Sequence, residues 1–146
     1  MTTLPEGYHY FLAAATSTFF LNTFHSIRTS SLRGASGVEY PTPYATEARA
    51  RENPQAFRFN CAQRAHANFT ENLTPFLGSL LVAGLRYPTA SAMLGAAWAT
   101  GRTLYLVGYT SGAGPKGRRP GHVVAFFADV ALKFMAAYST YLAIAQ

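Results

Sequence analysis

The sequence predicts an all-α protein, a four-helix bundle built to sit in a membrane, and three observations carry that prediction. The chain has 146 residues, 49% hydrophobic and only 12% charged, which is apolar even against a core-rich soluble domain. Its charges avoid long stretches: Tyr8 to Ile27 and Leu73 to Leu85 carry none, Thr89 to Ser111 only Arg102, and Gly121 to Ala145 only Asp129 and Lys133. The basic residues crowd two of the connections. Arg28, Arg33, Arg49, Arg51 and Arg58 follow the first stretch and Lys116, Arg118 and Arg119 follow the third, while the turn at Tyr87 has only Arg86. A bilayer core of about 30 Å needs about 20 apolar residues per helix, and loops rich in Lys and Arg stay on the cytosolic side. The net charge of +6 therefore reads as a topology signal. A nucleic-acid footprint would need those charges clustered on one folded face.

In chain order, helix one is expected over about 8–30. A loop from Leu32 to Pro54 follows, broken by Gly34, Gly37, Pro41, Pro43 and Pro54. Helix two, about 55–84, starts after Pro54 and is expected to kink at Pro75. It reaches span length only by drawing the polar run Arg64 to Glu71 into the headgroup zone or a protein-lined cavity. Pro88 restricts Tyr87 and forces a tight turn. Helix three, about 89–110, is dense in small residues, with Gly95 and Ala99 spaced for close helix approach in lipid. The Gly-rich, basic stretch from Gly112 to Gly121 breaks the helix. Helix four, about 121–145, is apolar all round, which argues against a soluble bundle. The whole of 1–146 reads as one domain, with no repeat. The region before Tyr8 has no Lys or Arg, so a secretory signal peptide is not expected.

Cys61 is the only cysteine, so no intramolecular disulfide can form. With no His or Asp beside it as an activating base it reads as a packed thiol. His9, His25, His66 and His122 share no ligand spacing with it or with one another, and no metal site is expected.

Two polar stripes carry the chemistry. On a helix Arg64, Asn68 and Glu71 fall within about 40° of one another, presenting a cation, an amide and a carboxylate suited to a zwitterionic ligand. Arg102, Tyr105 and Tyr109 form a second stripe within about 60°. A charge at membrane depth needs a partner. Arg64, Arg102 and Lys133 face only Glu71 and Asp129, so one cation is left over, and a ligand of net charge minus one would balance it. The alternative pairs Asp129 with Lys133 and Glu71 with Arg102 and lets Arg64 reach the interface.

The run Phe59-Asn60-Cys61-x-Gln63-Arg64-Ala65-His66-x-Asn68-x-x-Glu71-Asn72 resembles the second helix of the MAPEG family, closest to the type-three microsomal glutathione transferases. Val38-Glu39-Tyr40-Pro41 with Tyr44-Ala45, Val82-Ala83-Gly84-Leu85-x-Tyr87-Pro88, Leu94-Gly95-x-Ala97-Trp98 and Gly101-Arg102-x-Leu104-Tyr105-x-x-Gly108-Tyr109 extend the resemblance over nearly the whole chain. It implies a four-helix membrane bundle assembled as a homotrimer, with glutathione as co-substrate held between subunits at the cytosolic side. Arg64, Asn68, Glu71, Tyr105 and Tyr109 match glutathione-binding positions, and Arg102 lies among them. His66 matches a position serving the neighbouring subunit's site, and Arg33, ahead of Arg28, would supply the basic residue from helix one. The arginine that stabilises the thiolate has two candidate matches. Lys116 keeps the spacing from Tyr109, whereas Arg118 fits if the Gly-rich loop absorbs an insertion. Arg118 is favoured because an arginine stays charged under desolvation, with Tyr105 as a hydrogen-bonding partner of the sulfur.

The implied function is a glutathione transferase, with glutathione peroxidase chemistry as a companion activity, acting on lipophilic electrophiles or lipid hydroperoxides that arrive from the membrane lipid. The implied setting is a multi-pass protein of the endoplasmic reticulum or a related microsomal membrane, with the outer mitochondrial membrane as the other candidate. A non-enzymatic lipid-binding scaffold of the same family is the competing class.

Overall fold

A computed structural model describes residues 5–145 and is all-helical over them. Four long helices, α1 (Tyr8–Ser36), α3 (Pro54–Gly84), α4 (Pro88–Thr110) and α5 (Arg119–Ile144), run up and down, with a short α2 (Glu47–Glu52) in the first connection and a 3-10 turn at Gly114–Lys116 in the third. Asn53 starts α3: its Oδ1 accepts from the Gln55 and Ala56 amides at 2.8 and 3.4 Å, with Pro54 in the first turn where no amide is missed. Pro75 lies inside α3, which continues through it.

Two boundaries differ from the sequence expectation. Helix one runs to Ser36 rather than 30, because its last turns pack into a second core: Leu32 meets Val38, Ala45, Ala56, Phe59 and Ala62 there. The expected loop is also partly helical. Thr46 caps α2 by accepting from the Arg49 amide, and Arg49 Nη2 reaches back to the Ser36 and Gly37 carbonyls at 2.9 and 3.0 Å, satisfying the open end of α1. Tertiary contacts override the serine-rich local composition here. Helix four likewise begins slightly earlier, at Arg119.

Helices α3 and α4 form the centre of the bundle, with α1 and α5 packed on opposite sides of that pair. The main core gathers Phe11, Leu21, Phe69, Phe76, Leu80, Trp98 and Leu132, and Phe76 stacks on Trp98 with centroids 3.8 Å apart. Helices α4 and α5 approach backbone to backbone, where a Cβ on Gly121 would run into the Tyr105 nitrogen and one on Gly101 would come within 2.6 Å of the Ala125 nitrogen, and Gly108 meets the backbone of Gly117 in the connection before α5. Gly95 instead admits Ala14 of α1.

All four long helices have the length of a bilayer span, but among the described residues only the stretch 114–144 is also apolar enough to qualify by itself. The others are diluted by hydroxyls, many of which are satisfied within their own helix, buried Ser91 Oγ on α4 being an exception. Thr16, Ser17, Thr18, Thr23 and Thr29 each donate to a carbonyl three or four residues back, so their polarity need not exclude a lipid setting. Outward-facing Phe19, Phe20, Ile27, Val107, Phe127, Phe134 and Ile144 leave a broad apolar surface.

Candidate functional site

Helical geometry alone places Arg64, Asn68 and Glu71 on one flank of α3, and the side chains meet there. Arg64 Nη1 pairs with Glu71 Oε1 at 3.1 Å, and Asn68 Nδ2 lies 3.5 Å from Glu71 Oε2. The ion pair is half exposed, at 50% and 52% for the two side chains, so both groups can exchange each other for a ligand.

The second stripe docks onto the first. Arg102 is 4% exposed and grips Asn68 twice, Nη1 to Oδ1 at 3.1 Å and Nη2 to the main-chain oxygen at 2.7 Å. That oxygen also accepts from Asn72 Nδ2 at 2.7 Å. The guanidinium carbon lies 5.3 Å from the Trp98 ring and 5.4 Å from the Tyr105 ring, close enough for cation–π attraction in a desolvated setting. Arg102 therefore pairs with an amide and ring faces, and Glu71 with Arg64, so the alternative pairing of Glu71 with Arg102 does not form. Asp129 and Lys133 do pair, one turn apart on α5.

The 3-10 turn sets the start of α5 against the end of α4. Arg118 Nη1 consequently donates to Tyr105 Oη at 2.7 Å, and the same guanidinium lies 5.0 Å from the Tyr109 ring. Tyr105 and Tyr109 meet edge to face at 5.6 Å. Lys116 is exposed in the turn and, among the described residues, forms no hydrogen bond or ion pair. Cys61 is buried against Tyr105 and Tyr109 as a packed thiol. No cluster of His, Cys, Asp and Glu among the described residues could hold a metal ion.

Arg33 and His66 lie apart from this constellation, on the α1 side of α3. His66 Nε2 is 3.2 Å from Asn22 Oδ1, and Arg33 Nη1 donates to the Thr42 and Val38 carbonyls at 2.7 and 3.4 Å with its guanidinium between the Tyr40 and Phe59 rings. Both line a cavity of about 180 Å³ with Ser26, Thr29 and Tyr40. Arg28 instead donates from Nε to Thr110 Oγ1 at 3.2 Å. Sequence reasoning missed Asn72 and His122 as polar neighbours of the stripe. Asn72 could have been found by its one-turn spacing from Asn68; His122 has no such signal, since the α4–α5 packing brings it in.

The site thus joins a zwitterion-shaped stripe on α3 to a buried arginine and two tyrosines on α4 and to a further arginine heading α5, within an all-helical bundle with an apolar exterior. The family model of the MAPEG family matches residues 11–138, which takes in all of these groups. That family is a membrane family that includes glutathione transferases and related lipid-metabolising enzymes, and the chain belongs to it.

Proposed function

We propose that this chain is a membrane-bound, glutathione-dependent transferase, closest in kind to the type-three microsomal enzymes, that activates the glutathione thiol against lipophilic electrophiles or lipid hydroperoxides. One observation carries the reading: the continuous run of polar contacts Arg64–Glu71–Asn68–Arg102 leading through the Tyr105 ring to Arg118. Glu71 suits the ligand's ammonium and Arg64 one of its carboxylates. Arg118 donates to the Tyr105 oxygen, which leaves the Tyr105 hydroxyl hydrogen free to reach a sulfur anion. A cation and a donor beside the sulfur favour its charged form. The thiol proton leaves to solvent and the thiolate attacks the electrophilic carbon, forming the C–S bond as the leaving group departs. With a hydroperoxide the thiolate sulfur attacks the terminal oxygen, forming an S–O bond as the O–O bond breaks; the alkoxide takes a proton from solvent and leaves as the alcohol, and a second glutathione converts the resulting sulfenic acid to glutathione disulfide and water.

Arg33 and His66 open on the other flank of α3 from Arg64 and Glu71. One copy cannot offer both sets to one ligand, and a homotrimer in which the neighbouring copy supplies Arg33 and His66 completes the site. The four long helices cross the membrane with the basic connections on the cytosolic side, and the endoplasmic reticulum or a related microsomal membrane is the setting we propose. The test is retention of the detergent-solubilised protein on immobilised glutathione, followed by turnover with chlorodinitrobenzene. Retention with turnover is expected. Lipid binding without retention would favour the scaffold reading instead.

A further inference from the structure

Between α3, α4 and α5, below the Arg64–Glu71 stripe, lies a cavity of about 90 Å³ walled by Asn68, Asn72, Trp98, Arg102, His122 and Asp129. Two ionic groups enter it incompletely satisfied. Arg102 uses Nη1 and Nη2 on Asn68, and its buried Nε meets no protein acceptor among the described residues. Asp129, 8% exposed, accepts from Lys133 Nζ through Oδ2, and its buried Oδ1 meets no protein donor among the described residues. A buried donor and a buried acceptor of opposite charge facing one polar cavity cost free energy unless something joins them. The volume suits a few water molecules, and the wall offers more than the two to four polar partners each would need.

We propose that Asp129 is a positioning residue for glutathione binding, linked by water in this cavity to Arg102 Nε. Arg102 is then held at both ends, by Asn68 on one side and through water by Asp129 on the other, and its fixed fork keeps the Asn68 amide turned toward Glu71. Asp129 touches no ligand. Its effect passes through Arg102 to Asn68 and so to the carboxylate that receives the ammonium. The inference rests on the glutathione reading of the stripe.

The experiment compares Asp129→Asn, Lys133→Met and the double variant with the parent in detergent, reading glutathione affinity by calorimetry and the Arg102 Nε–H resonance by ¹⁵N NMR, assigned with Arg102→Lys. Asp129→Asn is expected to weaken glutathione roughly tenfold, the cost of one charged hydrogen-bond partner. It should also shift the Arg102 resonance while leaving turnover at saturating glutathione within about twofold, since the interaction serves binding rather than the activated state. Lys133→Met should change neither reading, and the double variant should match Asp129→Asn. If Lys133→Met alone weakens binding, or the double variant restores it, Asp129 serves only its ion pair and the proposal falls. An unmoved Arg102 resonance in Asp129→Asn overturns the water link, and a shifted resonance with parental affinity overturns the positioning role. A parent that does not bind glutathione removes the reading under Proposed function, and the NMR comparison still decides the Asp129–Arg102 link.

Discussion

The two ends of the bundle are built on different principles. At the end holding the Leu85–Tyr87 turn, helices meet by shape: the Phe11 ring lies on Gly84, Leu80 and Ala14 fill the notch at Gly95, and Tyr8 donates to the Leu85 carbonyl at 2.6 Å. At the other end they meet through arginines, with Arg102 on Asn68, Arg118 on Tyr105 and Arg33 on the 38–42 carbonyls. Among the described residues the first end leaves one buried neutral group, Ser91 Oγ, without a protein partner. The second leaves an ion pair half exposed and buried polar atoms facing a cavity. Groups that a chain cannot satisfy alone mark where it expects a ligand or a neighbour.

The sharpest way to break this contrast is to damage the apolar end. Phe76 is fully buried and stacked on Trp98, so Phe76→Ala should cost about 3–5 kcal/mol of stability, seen as a lower thermal midpoint in detergent. Glutathione affinity of the protein that remains folded should not change. A matching loss of affinity would mean that the two ends are not separable.

At the polar end the largest effect is expected from Arg118→Ala, which should lower turnover about 10²–10³-fold, as loss of a preorganised donor to developing charge does. Glutathione affinity should fall far less, the mark of a contact made mainly with the activated state. Glu71→Gln should weaken glutathione by about 1.5–3 kcal/mol, the range for a charged hydrogen bond. Because its carboxylate is 52% exposed, the thermal midpoint should barely move. Parental affinity by calorimetry would remove Glu71 as the ammonium's partner. The smallest effect belongs to Lys116→Ala, which should leave turnover and thiol ionisation, followed by thiolate absorbance against pH, at parental values. If Lys116→Ala instead reproduces the loss described for Arg118→Ala, the uninterrupted register from Tyr109 holds.

What the sequence by itself determined is whatever depends on one helix. Breakers and apolar runs marked the four long helices, and a turn of about 100° per residue put Arg64, Asn68 and Glu71 on one flank and Arg102, Tyr105 and Tyr109 on another. Spacing within a helix is rigid, so residue numbers convert directly into direction. Only the tertiary structure decided how those faces meet. Arg102 takes Asn68 rather than Glu71 because α4 crosses α3 at that turn, and α1 extends to Ser36 because a second core forms around Leu32. Arg118, rather than Lys116, reaches Tyr105 because the glycines at 108, 117 and 121 let α5 approach α4 backbone to backbone. A flexible, Gly-rich connection erases register, and the side chain that arrives beside a given partner is then chosen by packing across helices rather than by distance along the chain.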